Sequence, residues 1–305
     1  MVAGVGVRMR RVSGDGPGPL DRYAEGTSIA VRLQQLDGPN VNPLCRTRLY
    51  SHGRRSEHAL VLLHGFTNCP QQFDELGKRF FDMGWNVLIP RYPRHGYADR
   101  LNTSVAELRT EHLVAVASRS VDAAAGLGER VTVAGLSLGG VLSAHLAQTH
   151  DGIELAVLIA PMFGLKGIPG PLHPVLARVA YLLPNFYVWW DAKKKERLSP
   201  AHAYPRWATH AYAALFQTAS AVLKDARAAR PKAASLAVIT NAAEPGLDNR
   251  FTYQLVESWR QRGADVATFE FPAADHLPHD LIDPANPEQN TELVYPVVIR
   301  TILGG

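Results

Sequence analysis

Short unbroken apolar runs recur along the chain, and stretches with helical spacing lie between several of them. The runs fall at residues 59–63 (ALVLL), 85–90 (WNVLIP), 131–134 (VTVA), 155–160 (LAVLIA), 235–240 (SLAVIT) and 266–271 (VATFEF). Runs this short and this continuous suit strands buried on both faces of a parallel sheet. After the first run, Phe73, Leu76 and Phe80 share one helical face and Gly84 ends it. Leu113, Val116, Ala117, Val121 and Ala124 do the same before residue 127, with Ser104 and Glu107 spaced as a capping box ahead of them. Phe251, Leu255 and Trp259 repeat at i, i+4 and i+8 before Gly263. Strands alternating with helices predict a mostly parallel central sheet with helices on both faces.

Three regions depart from this rhythm. Residues 1–27 are polar and glycine-rich and are expected to be loose. Residues 29–33 (IAVRL) and 44–50 suggest two strands of a hairpin, joined through the turn-rich Asp37-Gly38-Pro39-Asn40. Residues 163–233 are Gly/Pro-rich at first, then carry Phe186-Tyr187-Val188-Trp189-Trp190, a Lys/Glu run, and an Ala-rich helical stretch from about 205 to 229. This reads as an inserted helical cap at 163–233, and residues 1–162 and 234–305 as the α/β core.

The run at 131–134 leads into Gly135-Leu136-Ser137-Leu138-Gly139, and residues 141–150 then read as a helix. A serine on so sharp a strand-to-helix turn has its hydroxyl exposed, and flanking glycines avoid collisions. This stretch resembles the nucleophile elbow of the α/β-hydrolase fold, and the chain resembles the carboxylesterase and monoglyceride lipase group over roughly residues 57–160 and 233–303. The resemblance implies a serine hydrolase acting on carboxylic esters, short- to medium-chain or monoacylglycerol-like, through an acyl-serine intermediate. Amide or thioester hydrolysis on the same residues, or a non-catalytic binding module, are the alternatives, since a fold alone does not fix chemistry.

A serine hydroxyl needs a base, and the base an orienting acid; the resemblance implies the chain order Ser, Asp/Glu, His. With Ser137 as nucleophile, the resemblance puts the histidine in the loop after the last strand. His276, five residues beyond it, is the leading candidate and His279 the rival. For the acid, counting from the strand at 235–240 favours Glu244. Asp248 is the alternative, although it also reads as a helix N-cap. Asp275 stands third. The oxyanion hole is expected from the backbone N–H groups of Leu138 and Phe66, the latter after His64-Gly65.

Composition adds bounds. The 305 residues suit one large domain with an insertion. A net charge of +4 carried by scattered arginines lacks the dense stripe a nucleic-acid surface needs. Trp189 and Trp190 beside Lys193-Lys194-Lys195 would suit a membrane interface, but a solvated charge run is the favoured reading. Cys45 and Cys69 are expected as free thiols, and no cofactor or metal motif is present. No signal peptide or membrane-length apolar span is seen, so a soluble, cytoplasmic protein is expected. The expected partner is a small ester with an apolar group.

Overall fold

The computed structural model describes residues 18–170, 172–195 and 199–304. Seven strands form one sheet: β1 (Arg48–Tyr50), β2 (Ser56–Leu63), β3 (Asn86–Ile89), β4 (Gly128–Leu136), β5 (Ile153–Ile159), β8 (Ser235–Asn241) and β9 (Val266–Phe271). Their order is β1-β3-β2-β4-β5-β8-β9. β1 is antiparallel to β3, and every other pairing is parallel. The continuous apolar runs follow from this layering, because alternate residues enter two different cores. In β2, Ala59, Val61 and Leu63 join one cluster, with α3 (Thr110–Leu127) and α4 (Leu138–Thr149). Leu60 and Leu62 join the other, with α2 (Asp74–Asp82) and α8 (Thr291–Ile302).

The hairpin expected near the N-terminus is not formed. Residues 29–33 belong to a helix, α1 (Pro19–Gln35), and only β1 is a strand. The buried positions of α1 are Gly26, Ala30 and Leu33, at helical spacing. Gly26 and Gly126 bring α1 and α3 into backbone contact: a Cβ on Gly126 would lie 2.4 Å from the Arg22 carbonyl oxygen. Part of the segment expected to be loose is therefore helical, and residues 1–17 lie outside the described residues. The expected capping box at Ser104 is absent, since Ser104 bonds Asn102 and α3 starts at Thr110.

Between β5 and β8 the chain forms α5 (Leu172–Leu182), a two-stranded ribbon of β6 (Tyr187–Trp189) and β7 (Arg206–Ala208), and α6 (Thr209–Ala228). The two halves of this segment pack differently. α6 buries Ala211, Leu215, Ala219 and Val222 in the same core as α4 and α7 (Asn249–Gln261). α5 rests on α6 through Ala177, Ala213 and Phe216, and leaves Leu172, Val175, Leu176, Val179 and Leu182 exposed. Among the described residues no helix is long and apolar enough to cross a membrane.

Cys45 and Cys69 are not free thiols but a disulfide, fully buried beside Val41. Disulfides persist in oxidising compartments and are rare in cytosolic proteins, which counts against the cytoplasmic expectation. The bridge closes a loop with a sequence separation of 24 residues. Loop-closure entropy then predicts that reduction lowers unfolding stability by about 3 kcal/mol. Denaturant unfolding with and without dithiothreitol measures this, and coincident midpoints would remove the prediction.

Candidate active site

Ser137 sits between β4 and α4 with φ 57° and ψ −110°, backbone that a side-chain-bearing residue rarely adopts. Such strain costs about 1–3 kcal/mol and persists only where the surroundings fix it. Here the Ser137 N–H donates to the Ile159 carbonyl at 2.9 Å, and the Met162 N–H donates to the Ser137 carbonyl at 3.2 Å. The glycines are required by contact. A Cβ on Gly139 would lie 1.8 Å from the Leu63 carbonyl oxygen, and one on Gly135 would lie 2.3 Å from Gly139. α4 thus begins against the end of β2, and the Leu138 N–H belongs to its first turn, where N–H groups lack helical partners.

The end of β2 feeds the loop carrying His64, Gly65, Phe66 and Thr67. Buried His64 spans it, its Nδ1 2.9 Å from the Gly65 carbonyl and its Nε2 accepting from the Tyr92 N–H at 3.3 Å. Burial holds the His64 imidazole well below the usual histidine range, with His95 and Arg91 adding to the effect. Gln72 Oε1 accepts from the Gly65 N–H at 2.7 Å. Thr67 has φ 64° and is pinned by two bonds. Its carbonyl accepts from the Tyr204 N–H at 2.7 Å, and its hydroxyl from Trp190 Nε1 at 2.9 Å.

Glu244 and His279 meet after β8 and β9. His279 Nδ1 lies 2.7 Å from Glu244 Oε2, while Glu244 Oε1 accepts from the Gly246 and Leu247 N–H groups. Burial pushes the Glu244 carboxyl up, but the His279 charge and these bonds outweigh it and hold it below the ordinary range. Burial pulls the His279 imidazole down, and Glu244, then Asp280, outweigh that and raise it above the ordinary histidine value. Asp248 instead caps α7: it accepts from the Arg250 N–H and pairs with the Arg250 guanidinium.

His276, the leading candidate from sequence, is not beside Glu244. After β9 the chain makes a 3₁₀ turn at Ala273–Asp275, and His276 closes it in the left-handed region, exposed. That turn takes up the residues that a direct path would have used to reach Glu244. Asn241 at the end of β8 then holds the Leu277 and Pro278 carbonyls, and His279 follows them inward.

Ser137, His279, Glu244 and Phe66 line one cavity of about 460 Å³, with Leu136, Met162, Leu165, Trp190, Tyr212 and Leu247 forming apolar wall. Of the four aromatic residues singled out at 186–190, Trp190 reaches this cavity, whereas Trp189 lies under the Lys195 ammonium. A larger hollow, about 870 Å³, opens where β4, β5, β8 and β9 begin, lined by Arg130, Glu154, Ser235 and Asp265. Sheets of this kind take ligands at the carboxyl ends of their strands. The smaller cavity is at those ends, and it holds the carboxylate-oriented imidazole, a group able to accept and return a proton. The cavity wall also includes Asn68, Gln72 and Asp280, which sequence reasoning did not single out.

Comparison with known proteins agrees with this architecture. A family model described as the alpha/beta hydrolase family matches residues 60–289. A thermostable monoacylglycerol lipase from Bacillus sp. (strain H-257) is 30% identical over 96 residues, 31% of this chain and 36% of that protein. The match therefore spans about a third of the relative's length. Among solved structures, one from work on LipS and LipT, two metagenome-derived lipolytic enzymes, superposes with a TM-score of 0.67 at 17% identity, covering 87% of this chain and 100% of that one. A monoacylglycerol lipase from Paleococcus ferrophilus gives 0.61 at 15% identity, covering 85% and 98%. At such identities the likeness concerns the fold. With the family match running from β2 past His279, the chain belongs to the alpha/beta hydrolase family.

Proposed function

We propose that the protein hydrolyses carboxylic esters through an acyl-serine intermediate. The observation that carries this reading is the His279–Glu244 hydrogen bond, set in one cavity with the strained Ser137. In the proposed reaction Ser137 Oγ attacks the ester carbonyl as His279 Nε2 takes its proton. Glu244 fixes the tautomer and stabilises the imidazolium. The Phe66 and Leu138 N–H groups receive the oxyanion. His279 then returns the proton to the departing alcohol, and water, activated by the same imidazole, releases the acid. The inserted segment 163–233 acts as a cap, with Trp190 and Leu165 on the cavity wall over the acyl group. The apolar wall favours an apolar acyl or alcohol portion, and the cavity volume suits short to medium chains or a monoacylglycerol-like ester. The partial match to a monoacylglycerol lipase supports the same class.

The test is hydrolysis of p-nitrophenyl esters of increasing acyl length, with a fluorophosphonate probe mapped by mass spectrometry. We expect turnover with an optimum at intermediate length and a single adduct on Ser137. An adduct elsewhere, or no turnover by folded protein, would reject the reading.

A further inference from the structure

A buried polar chain connects three parts of the molecule that meet at the cavity. His202, between β6 and β7, places Nε2 2.8 Å from Asp283 Oδ2. The Asn68 amide nitrogen donates to Asp283 Oδ2 at 3.1 Å and to Asp280 Oδ2 at 3.2 Å. Gln72 Nε2 donates to Asp280 Oδ2 at 2.9 Å, and its oxygen holds the Gly65 N–H. His202, Asp283, Asn68 and Gln72 are all nearly or fully buried. Asp280 follows His279 directly and faces the cavity. Among the described residues no His, Cys, Asp and Glu group is placed to hold a metal ion.

Asp280 stands out in this chain. All four groups that it accepts from are N–H donors: Asn68 and Gln72 side chains on Oδ2, and the Ile282 and Asp283 backbone N–H groups on Oδ1, at 3.2 and 3.1 Å. Burial and the neighbouring Asp283 carboxylate push the Asp280 carboxyl up from its ordinary range, and the donors on both oxygens oppose this by favouring the ionised form. We propose that Asp280 is a positioning residue for the hydrolysis, joining the loop of His279 to the loop of Phe66 and placing a negative charge beside the His279 imidazole. Its carboxylate holds Gln72, which fixes the Gly65 N–H and with it the turn that leads into Phe66. Its charge acts with that of Glu244 to favour the imidazolium. The charged groups acting on His279 are then Glu244 from the β8 side and Asp280 on its own loop, with Asp283 and His202 behind Asp280 and Tyr212 of α6 on the same cavity wall. This inference rests on the ester-hydrolase reading.

Two variants separate the two effects. Asp280→Asn keeps the shape but must turn an NH₂ toward two donors and removes the charge. It should lower kcat at least tenfold with KM within about threefold, and move the His279 titration to lower pH. That titration is read both from the pH–rate profile and from imidazole NMR in the Ser137→Ala background. Gln72→Met cuts the link to Gly65 but keeps the charge. It should lower kcat while the titration stays in place. It also carries the positioning half of the test if Asp280→Asn fails to fold. An unmoved titration in Asp280→Asn, or kcat within twofold of the parent in Gln72→Met, would overturn the assignment. The NMR readout is independent of turnover. Failure of the hydrolase reading, in which the parent protein cleaves no ester, is therefore distinguishable from failure of this one.

Discussion

Replacing His279 by alanine should lower kcat for ester hydrolysis by roughly six orders of magnitude, as should Ser137→Ala, because nucleophile and base act as one unit. His276→Ala should leave kcat within about twofold, since that imidazole lies on an exposed turn away from Glu244. The parent enzyme should also lose activity as pH falls. The base works only when neutral, and Glu244 and Asp280 raise its proton affinity, so the acid limb should have its midpoint above 6.5. Steady-state kinetics over pH 5–9 on the parent and the three variants measures all of this. Activity lost with His276 and kept without His279 would return the base to the position that simple counting suggests.

Glu244→Gln is the second large effect expected, a fall in kcat of roughly 10⁴-fold. Glutamine is isosteric, so the carbonyl can still accept from the Gly246 and Leu247 N–H groups. Its amide nitrogen would then face His279 Nδ1 and force the ring into the wrong tautomer. Asp248→Asn should leave kcat within about threefold and change stability little, because asparagine caps a helix as well as aspartate and only the exposed Arg250 pair is lost. Kinetics beside denaturant unfolding separates the two residues. A kinetic defect in Asp248→Asn with a silent Glu244→Gln would exchange their roles.

The sequence made the sheet legible where strands are buried on both faces, as in β2, β4 and β5, because two cores demand apolar residues without a gap. It misled at α1, where the five residues IAVRL alternate like a strand. The face that packs there carries Gly26 and Ala30, small residues that fit a close helix crossing and give little hydrophobic signal, with Leu33 as its one large buried apolar member. The strained turn at Ser137 was legible because it needs glycines at fixed offsets, and the place of Glu244 because it follows a strand end by a short count. The histidine beside Glu244 is 279 rather than 276 because counting assumed a direct path, and the 3₁₀ turn at 273–275 lengthens it. Nothing in a two-cysteine sequence distinguished a bridge from free thiols. The chain from His202 to Gln72 joins residues more than 200 positions apart and has no local trace.

The contact between Gly139 and the Leu63 carbonyl bears on how such a protein can change over generations. Every single-nucleotide change that alters a glycine codon, apart from one to a stop, adds at least a Cβ, and here a Cβ has nowhere to go. Backbone, which no substitution can remove, blocks the space, so no neighbouring mutation can compensate by shrinking. Position 139 is closed to gradual drift, whereas the carboxylate now supplied by Glu244 needs only to reach the His279 imidazole from some nearby residue. In a lineage built on this turn, the acid can migrate along its loop while the bend beside the serine stays fixed.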